Sequence, residues 1–144
     1  MTRLIDVDAE TLAIAWAIAD TDIQAMFGTD PVRVSGGLDP TQAAVLPAAR
    51  VQRIGTTEPV FEHLTAPVLE VNVWAANPPA AFDGAQLLRA RLHDRAVVGV
   101  HAGLGVVTGL ETAQGLRQLA DQDMPLLARY TFAVRYFVHP LPSA

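Results

Sequence analysis

The 144-residue chain contains no cysteine. Disulfides, thiolate zinc sites and cysteine nucleophiles are therefore all excluded, which fits an intracellular folding compartment. Lysine is absent too: the ten basic residues are all arginine, spaced singly along the chain. Together with abundant Ala, Val, Asp and Gly, this usage reflects a GC-rich gene and carries no information about the fold. No apolar run approaches the roughly 20 residues that span a bilayer, so no membrane partner is expected. The opening residues, MTRLIDVDAET, lack the apolar h-region of a secretory signal. A concentration of positive charge is missing as well. The net charge is −5, whereas a nucleic-acid binder gathers its cations on one face. The fifteen acidic residues form small clusters and not a disordered acidic tail.

Apolar material is plentiful. At 51% hydrophobic residues the chain suits one domain over residues 1–144 that buries about 70% of its unfolded surface. Residues 8–25 place Leu12, Ala15, Trp16, Ala19 and Ile23 on one helical face, broadened by Ile14 and Ile18. Asp8 is positioned to cap this helix, and Gly28 and Asp30-Pro31 close it. The stretch 29–49 reads as loop with one short strand at Val32–Val34, and Arg50–Ile54 reads as another strand. Val68–Trp74 alternates, with Leu69, Val71 and Val73 on one face and Val68, Glu70, Asn72 and Trp74 on the other. After Asn77-Pro78-Pro79 a second helix is expected, with Asp83 as its N-cap and Ala85, Leu88 and Leu92 on its core face. The valine- and glycine-rich run 96–111 reads as strand. The last element, Arg129–His139, points Tyr130, Phe132, Val134, Tyr136 and Val138 to one side, and residues 139–144 read as a frayed tail. The sum is an α+β domain: a mainly antiparallel sheet of about four strands with two main helices packed on one face.

Catalytic chemistry finds little to stand on. Gly103–Gly109 resembles a dinucleotide fingerprint, but that motif needs a helix starting at its second glycine. Val106-Val107-Thr108-Gly109 is poor helix material, so glycines within a strand explain the run better. A small nucleotide-binding enzyme built on these glycines is the remoter alternative. His63, His93, His101 and His139 have no metal-ligand spacing, and Ser35 and Ser143 lack a nucleophile-elbow frame. No catalytic residue, cofactor or metal is therefore expected. His93, at the end of the second helix, suits the negative end of the helix dipole. Glu58, Glu62 and His63 are close in sequence, yet nothing around them provides the burial that tunes an acid or base. Val60, Phe61 and Leu64 stand among those charges, on a connection from Gly55 to Pro67 that exceeds hairpin economy. Apolar residues on a polar loop are either folded back or awaiting a partner. Glu58, Val60, Phe61, Glu62, His63 and Leu64 are accordingly candidate protein contacts, and Trp74, at a strand end, joins them.

In order, the pieces DAETLAIAWAIAD, ARVQRIGTT, PVLEVNVWA, AAFDGAQLLRARLHD, GVVTGLE and PLLARYTFAVRYFVHP form a recognisable string. Over essentially its full length the chain resembles the tail terminator proteins of long-tailed bacteriophages, also grouped as neck or tail-completion proteins. Arg53-Ile54-Gly55, Val71-Asn72-Val73-Trp74 and Arg129-Tyr130-Thr131-Phe132-Ala133-Val134 carry the likeness best. The long 35–49 loop and the GLRQLADQDM insert depart from the usual pattern. The resemblance implies a homo-oligomeric ring, usually a hexamer, that caps the tail tube, ends its polymerisation and presents a face to the head connector. It also implies residence in the virion, after assembly in the host cytoplasm. The partners implied are the chain itself, the tube protein and a connector or head-completion protein, with DNA only passing through the lumen. A head-side adaptor of the same neck is the nearer alternative.

Overall fold

The computed structural model describes residues 3–4, 9–29, 32–37, 46–54, 59–61, 64–95, 99–101, 105–119, 127–139 and 142–143. Its elements run β1 (Arg3–Leu4), α1 (Ala9–Ala19), α2 (Thr21–Phe27), β2 (Val34–Ser35), β3 (Ala48–Ile54), β4 (Pro59–Phe61) and β5 (Leu64–Thr65). Then come β6 (Val68–Ala75), α3 (Pro78–Arg95), β7 (Gly99–His101), β8 (Gly105–Leu119), β9 (Ala128–His139) and β10 (Pro142–Ser143). The fold is α+β. The main sheet has the order β2-β3-β6-β9-β5-β4, and β8 lies on the other side of β9 with β7 beyond it. Every pair is antiparallel except β2–β3. The four long strands β3, β6, β8 and β9 correspond to the four expected, and the additional strands are only two or three residues each.

Register decides which side chains share a face. Ala49, Val51, Leu69, Val71, Val73, Phe132, Val134, Tyr136 and Val138 line one side of the sheet and are almost wholly buried. They form one core with Ala9, Ala13 and Ala17 of α1, Ile23 and Phe27 of α2, and Ala85, Leu88 and Leu92 of α3. All three helices therefore cover the same face. The approach is close: a Cβ on Gly84 would lie 3.1 Å from Val73 Cγ1 and 3.2 Å from Phe27 Cζ.

The structure corrects several sequence-based expectations. The single helix over 8–25 is two helices, divided at Asp20. That residue is extended (φ −84°, ψ 124°), and its side chain accepts from the Asp22 and Ile23 amides, capping α2. Asp8 and Asp30-Pro31 lie outside the described residues, while Gly28 closes α2 with φ 88°, a value suited to glycine. The buried stripe of α1 is Ala9, Ala13 and Ala17, not the larger residues; Leu12, Ile14 and Trp16 are half-buried and Ile18 is 43% exposed. Small side chains let the helix axis lie close to the sheet, which turns the bulkier ones to its flanks.

The second helix starts at Pro78, five residues before Asp83. Asn77 is its cap, accepting the Ala80 amide at 3.0 Å, and prolines in a first turn forfeit no helical hydrogen bond. Asp83 is an exposed residue within the helix. Pro142–Ser143 is not a frayed end, since it pairs with Arg3–Leu4. The insert beginning at Gly115 continues β8 to Leu119, with register shifts between Thr112 and Arg117 that bend the strand.

Candidate functional site

The side of the sheet away from the helices is polar, and its polar groups are organised. Asn72, on β6, is fully buried. Its Oδ1 accepts from Arg129 Nε at 3.0 Å and Nη2 at 2.7 Å, and its Nδ2 donates to Glu70 Oε1 at 2.9 Å. Arg129 stands opposite Trp74 in the β6–β9 register. Its guanidinium carbon lies 5.3 Å from the centroid of the indole, and that of Arg50, on β3, lies at the same distance. Each such contact is worth about 1–2 kcal/mol where water is partly excluded. Thr131 Oγ1 donates to the Val71 carbonyl at 3.1 Å. Further along the same face Arg135 Nη1 meets Glu111 Oε1 at 2.8 Å; both are exposed, so the pair adds no more than about 1 kcal/mol.

The result is two guanidinium groups held by one indole and one carboxamide. Among the described residues neither Arg50 nor Arg129 forms an ion pair with a carboxylate, and Arg50 Nε is buried without a hydrogen-bond acceptor. Fixed guanidinium groups of this kind recognise carboxylates or phosphates through paired N–H donors. The arrangement offers recognition and no proton-transfer chemistry.

Trp74 is thereby corrected as a candidate contact residue. It is 1% exposed, lying on the sheet between Arg50 and Arg129, so it supports the arginines and does not itself reach a partner. Val60 and Phe61 fall on β4 and Leu64 on β5; Glu58, Glu62 and His63 lie outside the described residues. The connection that carries them is not a bare arm. It contains the β4–β5 hairpin, and β5 extends the sheet through Thr65 opposite Val138 of β9. Sequence reading missed Arg50, Asn72 and Arg129. Their signal was the polar half of the alternation in β3, β6 and β9, which acquires meaning only when register aligns the three strands.

Two titratable groups on the helix side are perturbed. Burial, then the charge of Arg89, pushes the His93 imidazole below its ordinary value, while Asp94 opposes them. His93 Nε2 is also buried without a partner. The expected benefit of a cationic His93 at the helix end is thus overridden by desolvation. Burial pushes the Tyr136 phenol up; its hydroxyl has no hydrogen-bond partner, and its ring takes the Trp16 ring edge-on at 6.3 Å. Among the described residues no group of three His, Asp or Glu side chains could hold a metal ion. Gly105–Gly109 opens strand β8, where the dinucleotide motif would require a helix, and Gly103 lies outside the described residues.

Comparison with solved structures gives the fold a counterpart. The chain matches one from a structure described as the virion of a native gene transfer agent particle, with a TM-score of 0.55. The match covers 90% of this chain and 93% of that one at 19% identity, which is a shared fold over nearly the whole of both. No protein-family model matches, and no curated protein matches. No helix among the described residues is long and apolar enough to cross a membrane.

Proposed function

We propose that this chain is a structural protein of a phage-like virion, and within it the ring that terminates the tail tube. The observation that supports the reading is the fold shared, over 90% of this chain, with a chain of a gene transfer agent virion. The sequence resemblance to tail terminators points the same way, and it adds the finer role. The domain carries the surfaces a ring subunit needs. Beyond its pairing with β7 at residues 105–107, β8 has an outer edge that no described strand covers. Ile18, Ile54 and Phe82 are exposed apolar residues on three different elements. The helix-free face adds a polar surface of fixed arginines.

In this reading the subunits form a closed ring, a hexamer by the resemblance, through unlike patches on opposite sides of each copy. The ring sits on the last layer of the tube, stops its growth and joins it to the connector, while DNA passes through the lumen. The chain acts by binding and not by catalysis.

Deletion of the gene from the element that produces the particle tests the role by electron microscopy. Loss of a terminator leaves tails of uncontrolled, excessive length. Tails of normal length that remain unattached to heads would instead assign the chain to the head side of the neck. Intact particles with normal tails would refute both roles.

A further inference from the structure

We propose that the outer edge of β8 docks the same edge of a second copy of this chain, as a two-fold antiparallel pair centred on Gln114. The proposal goes beyond the ring reading and does not rest on it, since it describes the chain before it joins a particle.

The inner side of β8 pairs with β9 along its length, while its outer side pairs with β7 at Gly105–Val107. From Gly109 to Leu119 no described strand faces that outer side. Sheet edges are ordinarily blunted by lysine, by proline or by a covering segment. The stretch GLETAQGLRQL has neither lysine nor proline. Glu111, Thr112, Ala113, Gly115, Arg117 and Gln118 are exposed along it. A row of open N–H and C=O groups is complemented by an extended backbone.

Among the described residues no other edge of the sheet has this length. On the far side β2 takes Ala49 and Arg50 of β3, Glu10 takes the Arg53 amide, and β4 is only three residues. The same edge of a second copy matches in length, and its side chains match in charge. Full overlap of two antiparallel Gly109–Leu119 stretches sets Gln114 opposite itself, Glu111 opposite Arg117 and Arg117 opposite Glu111. Both charged residues lie on the helix-free side, across from Arg135 and Thr131 of β9, so each meets its opposite charge on one face. Glu111 also pairs with its own Arg135, and the Gln114 amide oxygen accepts from Arg117 Nη2 at 3.0 Å. Carboxylate and guanidinium each have capacity for a second partner. The register shifts of β8 against β9 flank Gln114 on both sides, so they stand in step in the two copies. Such a pair is isologous and closed, and it withholds the edge from other strands until it opens.

The test uses the purified full chain, with sedimentation velocity and native mass spectrometry across a dilution series. The wild type is expected as a dimer that dissociates on dilution. Arg117→Glu and Glu111→Arg each set like charges opposite one another twice, so each alone should dimerise at least about tenfold more weakly. Mixed, the two variants regain both opposite-charge pairs and should form heterodimers in preference to either homodimer. Far-UV circular dichroism checks folding. A second measurement does not depend on charge and uses the absence of native cysteine. Gln114→Cys lies on the two-fold axis, so mild oxidation should link the two copies. Thr112→Cys stands opposite Leu116 of the second copy, roughly 13 Å along the strand from its own counterpart. That exceeds the about 7 Å a disulfide spans, so this variant should remain unlinked. A wild type that stays monomeric, or that forms larger rings with no dimer, would overturn the proposal. So would single charge variants that dimerise as the wild type does, a mixture without heterodimers, or equal cross-linking of the two cysteine variants. None of these outcomes bears on tail length in the deletion experiment, so the two readings fail separately.

Discussion

Glu10 and Gly36 provide a stability prediction whose sign depends on background. Strand β2 pairs with β3 only at Ala49 and Arg50, so the outer edge of β3 beyond them needs another partner. Glu10, in the first turn of α1, supplies it: Oε2 accepts the Arg53 amide at 2.9 Å across a sequence separation of 43. The carboxylate lies directly over Gly36, where a Cβ would come within 2.5 Å of Oε1. Gly36 does not have positive φ, so its backbone tolerates alanine. The obstacle is Glu10 alone, as Ile14 Cδ1 at 3.4 Å is an ordinary contact.

Glu10→Ala leaves a half-buried backbone donor unpaired and should cost about 1–2 kcal/mol, or about 4 °C in Tm per kcal/mol for a chain of this length. Glu10→Gln keeps an acceptor oxygen and should lose only the dipole contribution of a charged first turn, about 0.3–1 kcal/mol. Gly36→Ala displaces the carboxylate and should be destabilising in the wild-type chain. In the Glu10→Ala background the same substitution meets no carboxylate. There it should stabilise by about 0.4–1 kcal/mol through the lost freedom of the unfolded chain. Urea denaturation of the four species measures the coupling, and hydrogen exchange at the Arg53 amide reports the bond itself. If Gly36→Ala were destabilising by the same amount in both backgrounds, the proposed link between strand edge, helix and loop would be refuted.

Three further outcomes follow from particular groups. Tyr136→Phe removes a buried hydroxyl that has no partner and keeps the ring against Trp16, so it should leave stability unchanged or raise it by about 1 kcal/mol in chemical denaturation; a loss of that size would reveal a partner for the hydroxyl. His93, held below its ordinary value of 6.5 in the folded chain, is protonated first in the unfolded chain as pH falls. Its contribution is therefore complete above pH 6.5 and is lost as pH drops toward the folded value, and His93→Gln should flatten the denaturation midpoint between pH 8 and 5. Phe61→Asp, on β4, should impair ring closure or tube docking while the monomer's circular dichroism is retained; normal particle assembly with this variant would show that the β4–β5 hairpin makes no essential contact.

The strands were legible in the sequence because alternation is a local property. Leu69, Val71 and Val73, and Phe132, Val134, Tyr136 and Val138, declared their faces without reference to any neighbour, and the structure buries them as the pattern requires, with Tyr130 half-buried at the end of the row. The helices were less so, for two separate reasons. α1 is apolar almost all round, AETLAIAWAIA, so periodicity could not choose between a stripe of alanines and a stripe of large residues. The choice was made by the distance at which the helix meets the sheet, a tertiary quantity. The break at Asp20 was written in the chain as a capping residue, yet apolar spacing that continues to Ile23 concealed it. At α3 the two prolines read as a stop when their position made them a start.

The candidate site was hidden for a different reason. Arg50, Asn72, Trp74 and Arg129 lie on three strands, and as isolated residues each has an ordinary surface role. Only the register Asn72–Arg50 in one direction and Trp74–Arg129 in the other brings them onto one patch. That patch also explains why Trp74 misled: a large aromatic at a strand end has the composition of an interface residue, but it is buried and its ring already takes two guanidinium groups. The energy in those two contacts goes into holding the arginines. A substitution that separates the roles follows directly. Trp74→Leu should keep both positive charges and most of the buried apolar surface but free the guanidinium groups to move. If the face works by pre-positioned arginines, this variant should weaken ring assembly although its net charge is unchanged. If charge alone were sufficient, ring assembly and its salt dependence would match the wild type, and the organised network would be a matter of folding only.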